Sequence, residues 1–241
     1  MVEYFLDCSH GAIDVGESEV MGWYTLDQSR SDYVGSGANN QGRNDLISWA
    51  KQKAVDTDKV DFSRYAGVLV CMNVATDLFG GAAGAVCGAN NTTYDLEPSL
   101  LGQEMGHVYG LKHSRLEGSD VDYRDRWDTM STARAWEAAD LRWGHVGPGL
   151  NAANMSARGW LDPGRTVIVN DNVQTVQLRP LHRRDLAGAL AVIVGDYFVE
   201  FRTRARWDAN IPRPTVLVHT LIDDISYLML STSGSREFLP G

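Results

Sequence analysis

Near the middle of the chain runs Gln103-Glu104-Met105-Gly106-His107-Val108-Tyr109-Gly110-Leu111-Lys112-His113, and the remaining sequence is best read outward from it. At about 100° per residue, Leu101, Met105 and Val108 share one narrow stripe of a helix, while Gln103 and His107 project from the other side. The apolar stripe is expected to pack and the polar side to present ligands. Residues four apart are neighbours on a helix surface, so Gln103 and His107 can reach one cation, with Glu104 beside them. Gly110 permits a sharp turn without a Cβ clash, and that turn can bring His113 to the same ion. Three protein donors leave a position for water, whose pKa a metal lowers toward about 7, and Glu104 stands where it can take the proton. Pro98 and Ser99 suit a helix start, which predicts a helix from about Ser99 to Tyr109, broken by Gly110.

Upstream, Leu46, Trp49, Ala50 and Ala54 recur at helical spacing and predict an amphipathic helix over 42–55. The run 66–72 is continuously apolar and rich in β-branched side chains, which predicts a buried strand. Helix followed by strand suggests an α/β layer. The Gly- and Ala-rich stretch 79–91 is expected to be an irregular surface loop.

Downstream of Pro163 the texture changes to strand-like runs at 166–169, 173–178, 189–194, 197–202, 215–221 and 226–230. Gly195-Asp196 between two of them suits a two-residue hairpin turn, because glycine accepts the positive φ of a primed turn. A boundary is therefore expected near Asp162, between an α/β (α+β) part with a mixed sheet over 1–162 and an all-β C-terminal part over 163–241.

At 241 residues, with 44% apolar and 22% charged residues, the chain is long enough for one large domain or two modest ones. A net charge of -9 with scattered Lys and Arg excludes a nucleic-acid partner. No apolar stretch approaches the roughly 20 residues that span a bilayer, and residues 1–10 lack the basic start and apolar core of a secretion signal. No membrane partner is expected, and the chain is taken to be a monomer. Three cysteines, Cys8, Cys71 and Cys87, lack the close pairing of a zinc knuckle. Either Cys71 and Cys87 form a bridge, contributing about 3 kcal/mol, or all three are buried thiols. His10, His145, His182 and His219 lack helical partners at ligand spacing and are expected to be structural or surface residues.

The central stretch resembles the metzincin signature His-Glu-x-x-His-x-x-Gly-x-x-His, matched at every defined position except the first, where Gln103 stands. Trp127-Asp128-Thr129-Met130-Ser131 resembles the Met-turn of those proteases, in which Met130 would form an apolar floor beneath the metal. A signature beginning Gln-Glu-x-x-His is similar to that of the gametolysin group, which acts on extracellular-matrix glycoproteins. Weaker similarity to that group extends through Phe62-Ser63-Arg64-Tyr65, the stretch before Met130, Tyr197-Phe198-Val199-Glu200-Phe201-Arg202 and Trp207-Asp208.

The resemblance implies a metzincin-like catalytic domain and a metalloendopeptidase acting on a polypeptide or glycoprotein, in a secreted, extracellular setting. It places Gln103, His107 and His113 on the metal, Glu104 as general base and Met130 beneath. The implied metal is Zn2+. A neutral amide oxygen is a poorer donor than imidazole, so the site either holds zinc less tightly or takes another divalent transition metal such as Cu2+. The second implied function is a catalytically impaired relative that binds extracellular glycoproteins.

Overall fold

The structure, a computed structural model, describes residues 1–33, 39–73, 85–88, 97–170 and 173–238. In chain order its helices are α1 (Val2–Cys8), α2 (Arg30–Tyr33), α3 (Asn39–Asp58), α4 (Pro98–Val108) and α5 (Ala152–Ala157). Its strands are β1 (Leu69–Met72), β2 (Ala85–Gly88), β3 (Arg115–Leu116), β4 (Ala138–Asp140), β5 (Gly144–Val146), β6 (Thr166–Val169), β7 (Ala191–Val194), β8 (Tyr197–Arg202), β9 (Thr215–Ile222) and β10 (Ile225–Leu228). The fold is mixed α+β. It divides into two compact units, one of Glu17–Gly110 and one of Met1–Gly16 with Leu111–Gly241.

In the Glu17–Gly110 unit, α3 is longer at both ends than the predicted 42–55. Its buried side chains, Leu46 and Ile47, join Tyr33 in a core flanked by Leu26, Trp49, Val70 and Met72. On its exposed side the pairs Gln41–Asp45 and Gln52–Asp56 hydrogen-bond at helical spacing. Strand β1 is shorter than the predicted run 66–72 and half-buried along its length instead of buried. It pairs in parallel with β2, and among the described residues that is its one partner, so its other edge lacks the cover of a central strand. The predicted loop 79–91 thus contains a strand at 85–88, where a short apolar run is hidden in the Gly and Ala content; the rest of that stretch lies outside the described residues. Cys71 is register partner to Cys87 and carries a free thiol, so of the two alternatives the bridge is not formed; Cys8 is a buried free thiol and Cys71 a half-buried one. At Gly67 a Cβ would lie 2.0 Å from Val108 Cγ1, so only glycine lets the chain enter β1 this close to the end of α4.

The other unit is built on a six-stranded mixed sheet ordered β3-β10-β9-β8-β7-β6, parallel at its two outer pairs and antiparallel between. The predicted runs 166–169 and 197–202 are β6 and β8, and 215–221 extends one residue into Ile222. The run 189–194 holds the shorter strand β7, and in place of 226–230 the strand β10 starts one residue earlier and ends two earlier, at Ile225–Leu228. Val194 faces Tyr197 across the hairpin, with Gly195 at φ +57°. The predicted strand 173–178 is not formed; only Leu178 makes a bridge, to Ala189. Val173 is fully exposed, and Val176 and Leu178 are only half-buried.

Trp127, Ile211, Leu217 and Leu228 form a core under this sheet, and α5 packs on β8, β9 and β10. The N-terminal segment belongs here too. Tyr4 Oη donates to Pro148 O at 2.8 Å, and Asp7 accepts from Arg206 and Trp207. His10 is 6% exposed, with Nε2 2.9 Å from Leu181 O and Nδ1 accepting from the Asp162 amide. The strands after residue 163 share their compact unit with β3, the edge partner of β10, and with α1 and α5. Among the described residues no helix is long and apolar enough to cross a membrane.

Candidate metal centre

Helix α4 carries Gln103, Glu104 and His107. It starts with Pro98 in its first turn, where a missing N–H costs nothing, one residue ahead of the predicted start. It ends at Val108, where the Tyr109 amide bonds back to Met105 O and the Gly110 amide to His107 O. Gly110 lies at φ +83°, the left-handed conformation that a helix terminator needs and that glycine adopts without strain. The predicted packing stripe of Leu101, Met105 and Val108 is only half-buried, whereas Gln103 is 5% exposed and Glu104 0%. Gln103 and Glu104 are thus deeper than the apolar stripe, opposite to the expectation from periodicity, while His107 is half-buried like the stripe itself. Gln103 Nε2 lies 3.5 Å from Glu104 Oε1, so the amide turns its nitrogen to the carboxylate and its oxygen, the atom able to bind a cation, away from it.

His113 and Met130 lie in the other unit, joined through Ser114. The Ser114 amide donates to Met130 O at 3.3 Å, and Ser131 Oγ donates to Ser114 O. Met130 is fully buried in a 3-10 stretch, Thr129–Arg134, capped by Asp128, whose Oδ1 accepts from the Met130 amide at 2.7 Å. Asp128 also accepts from Ser114 Oγ, the Asn151 amide and Asn154 Nδ2. Four donors on one buried carboxylate lock the segment after His113 to the turn that holds Met130. His113 itself is part-exposed, with Nδ1 3.0 Å from Asp122 Oδ2 and Nε2 2.9 Å from Tyr123 Oη.

Beneath that turn lies a buried ionic cluster with no counterpart in the sequence reading. Arg202, Glu200, Asp125, Asp128 and His219 are each 0% exposed and Asp208 is 5%. His219 Nε2 lies 2.9 Å from Asp125 Oδ2. Burial alone would lower the imidazole's hold on a proton, but Asp125 and Glu200 raise it overall. Burial likewise favours protonated Asp125, and His219 nevertheless keeps its carboxyl below the ordinary range. Asp128 moves the other way, pushed up to about 6 by burial and by the Asp125 charge. His182 stays neutral, driven down to about 3 by burial and by Arg202.

These shifts fix a pH dependence of stability. The His219 contribution is complete below its unfolded value of 6.5 and is lost as pH rises through the higher folded value. The Asp125 contribution is complete above its unfolded value of 3.8 and is lost as pH falls through the lower folded one. Asp128 keeps a proton that the unfolded chain releases, so it costs stability as pH rises from 3.8 through about 6. The thermal midpoint, followed by circular dichroism, is expected to be highest in mild acid and to fall as pH rises above 6.5, with His219→Asn flattening the fall. A midpoint constant across that range would contradict the assignment.

The predicted site residues thus fall into two groups: Gln103, Glu104 and His107 on α4, and His113 with Met130 in the other unit. Among the described residues, no three His, Cys, Asp or Glu side chains gather as a metal-binding group. The predicted donor set has only two such residues, its third donor being an amide. Sequence spacing misses Asp122 and Tyr123, which bracket His113. Asp128 carried a legible signal, since an Asp one residue before a helical turn is a cap. No family model, curated protein or solved structure matches the chain.

Proposed function

We propose that this chain is a metal-dependent endopeptidase in which Gln103, His107 and His113 hold a divalent transition metal, Zn2+ or a similar ion, and Glu104 is the general base. The observation that carries this is the burial of Gln103 and Glu104 beside His107 on α4. Gln103 and Glu104 are 5% and 0% exposed and His107 is half-buried on the same helix, so the proposed base and donors are shielded from bulk water.

The donor set suits such an ion: two imidazoles, an amide oxygen and an adjacent carboxylate that need not ligate. When bound, the ion lowers the pKa of a water toward about 7 and polarises a scissile carbonyl. Glu104 takes the proton from the attacking water and passes it to the leaving amine nitrogen. Met130 contributes an apolar floor, and Ser114 ties His113 to it. The finer fold reading belongs to the same proposal: a metzincin-like catalytic part, a β-rich C-terminal part that docks on the substrate, and an extracellular polypeptide or glycoprotein as target.

Metal analysis of the purified chain after dialysis tests it. One transition-metal ion per chain is expected, with His107→Ala losing it and Gln103→His tightening zinc by about tenfold or more, since imidazole replaces a weaker neutral donor. A chain that takes up no metal would instead fit a binding protein for extracellular glycoproteins. An unchanged affinity in Gln103→His would remove that residue from the ligand set.

A further inference from the structure

His113 is held at both ring nitrogens. Asp122 Oδ2 lies 3.0 Å from Nδ1, and Tyr123 Oη lies 2.9 Å from Nε2. A carboxylate only accepts hydrogen bonds, so in the neutral imidazole the proton sits on Nδ1. Nε2 then carries the lone pair, and the Tyr123 hydroxyl donates into it. Asp122 is itself fixed, because Arg115 Nε donates to its Oδ1 at 2.7 Å and Arg115 Nη1 reaches Tyr227 Oη at 3.2 Å. Arg115 and Tyr227 are register partners in β3 and β10, so the chain of contacts that sets the imidazole ends in the sheet.

The backbone is bent to bring these groups to one ring. Tyr123 sits at φ +63°, a conformation that costs a non-glycine residue free energy. Its ring leans on the imidazole with centroids 4.2 Å apart. Adjacent residues thus address the two opposite nitrogens of His113.

We propose that Asp122 is a positioning residue that presets His113 as an Nε2 donor, and that the Tyr123 hydroxyl is a placeholder on that lone pair which a divalent cation displaces. This rests on His113 being a metal ligand. A carboxylate behind a ligating histidine fixes its tautomer and ring orientation and raises its basicity. Displacing the tyrosine costs one hydrogen bond. The two neighbours therefore push metal affinity in opposite directions.

The full chain, stripped of metal, is examined first by long-range proton–nitrogen NMR of the His113 ring, then titrated with Zn2+ against a chelator of known affinity. The parent is expected to show the Nδ1–H tautomer, and zinc to shift the Nε2 resonance. Asp122→Ala is expected to give mixed tautomers and to weaken zinc binding about 10- to 100-fold. Tyr123→Phe is expected to keep the tautomer and tighten zinc roughly three- to tenfold, the worth of one hydrogen bond. Should Asp122→Ala unfold by circular dichroism, Asp122→Asn carries the same test, because an amide can face the ring with either atom and cannot enforce the tautomer.

A tautomer and affinity indifferent to Asp122 in a chain that binds zinc would overturn the positioning role alone. Weaker binding in Tyr123→Phe would overturn the placeholder and make the tyrosine a ligand. A parent that shows the preset tautomer but whose His113 resonances ignore zinc would overturn the metal site itself, and the displacement with it.

Discussion

Replacing Glu104 by glutamine is expected to lower the hydrolysis of an unfolded, fluorophore-labelled polypeptide by about 10²- to 10⁴-fold while leaving metal content unchanged. Glutamine has nearly the same shape, so a residue that serves only to pack would tolerate it. What the substitution removes is the ability to take a proton from water and return it to the leaving amine, which is the whole contribution proposed for this side chain. Glu104 is fully buried on α4, with Gln103 Nε2 donating to its Oε1, so its carboxyl is shielded from bulk water. The split between metal content and rate is decisive. Lost activity with retained metal assigns the proton-transfer role, whereas activity within about tenfold of the parent would take Glu104 out of the chemistry.

Arg202→Ala is expected to destabilise the fold by about 3–5 kcal/mol, a large share of the total stability of an ordinary protein. The guanidinium is fully buried and holds both oxygens of Asp208, Glu200 Oε1 and the carbonyl of Gly149. The attraction between these charges repays much of their desolvation, so the pairing itself contributes little. Removing one partner strands two carboxylates in the interior, and that is the source of the loss. Urea denaturation should show a midpoint lower by roughly 2 M, taking about 2 kcal/mol per molar as the slope. The combined variant Arg202→Met, Glu200→Gln, Asp208→Asn should recover part of it, because no buried charge is then left alone. A single variant as stable as the parent would mean that water reaches the cluster.

Strand β8 shows why periodicity captures the element and misreads its use. Tyr197, Val199 and Phe201 form the more apolar alternate set, so a pattern reading turns them inward. The buried set is Phe198, Glu200 and Arg202, because the ionic cluster, not greasiness, decides which face goes in. The span and the hairpin at Gly195 are legible, since turn chemistry and β-branching are local. A similar inversion occurs on α4, where helix start, helix end and the Gly110 turn follow from local rules but Gln103 and Glu104 lie deeper than the apolar stripe. The grouping of Gln103, Glu104 and His107 on one helix is likewise legible from spacing. Asp122 and Tyr123 are not: they reach His113 across a loop whose path depends on φ at Tyr123 and on the anchor that Arg115 finds in β10. His219 offered a faint sign, as a histidine on the inward rung of an otherwise apolar strand.

The two units also differ in when they can be completed during synthesis. Glu17–Gly110 is one continuous stretch, so it can close on itself while later residues are still being added. The other unit joins Met1–Gly16 to residues beyond 110, and Asp7 finds Arg206 and Trp207 only across separations of 199 and 200 residues. Helix α1 can therefore dock only once those distant partners have been made, and until then Tyr4 and Phe5, buried in the finished fold, lack that cover.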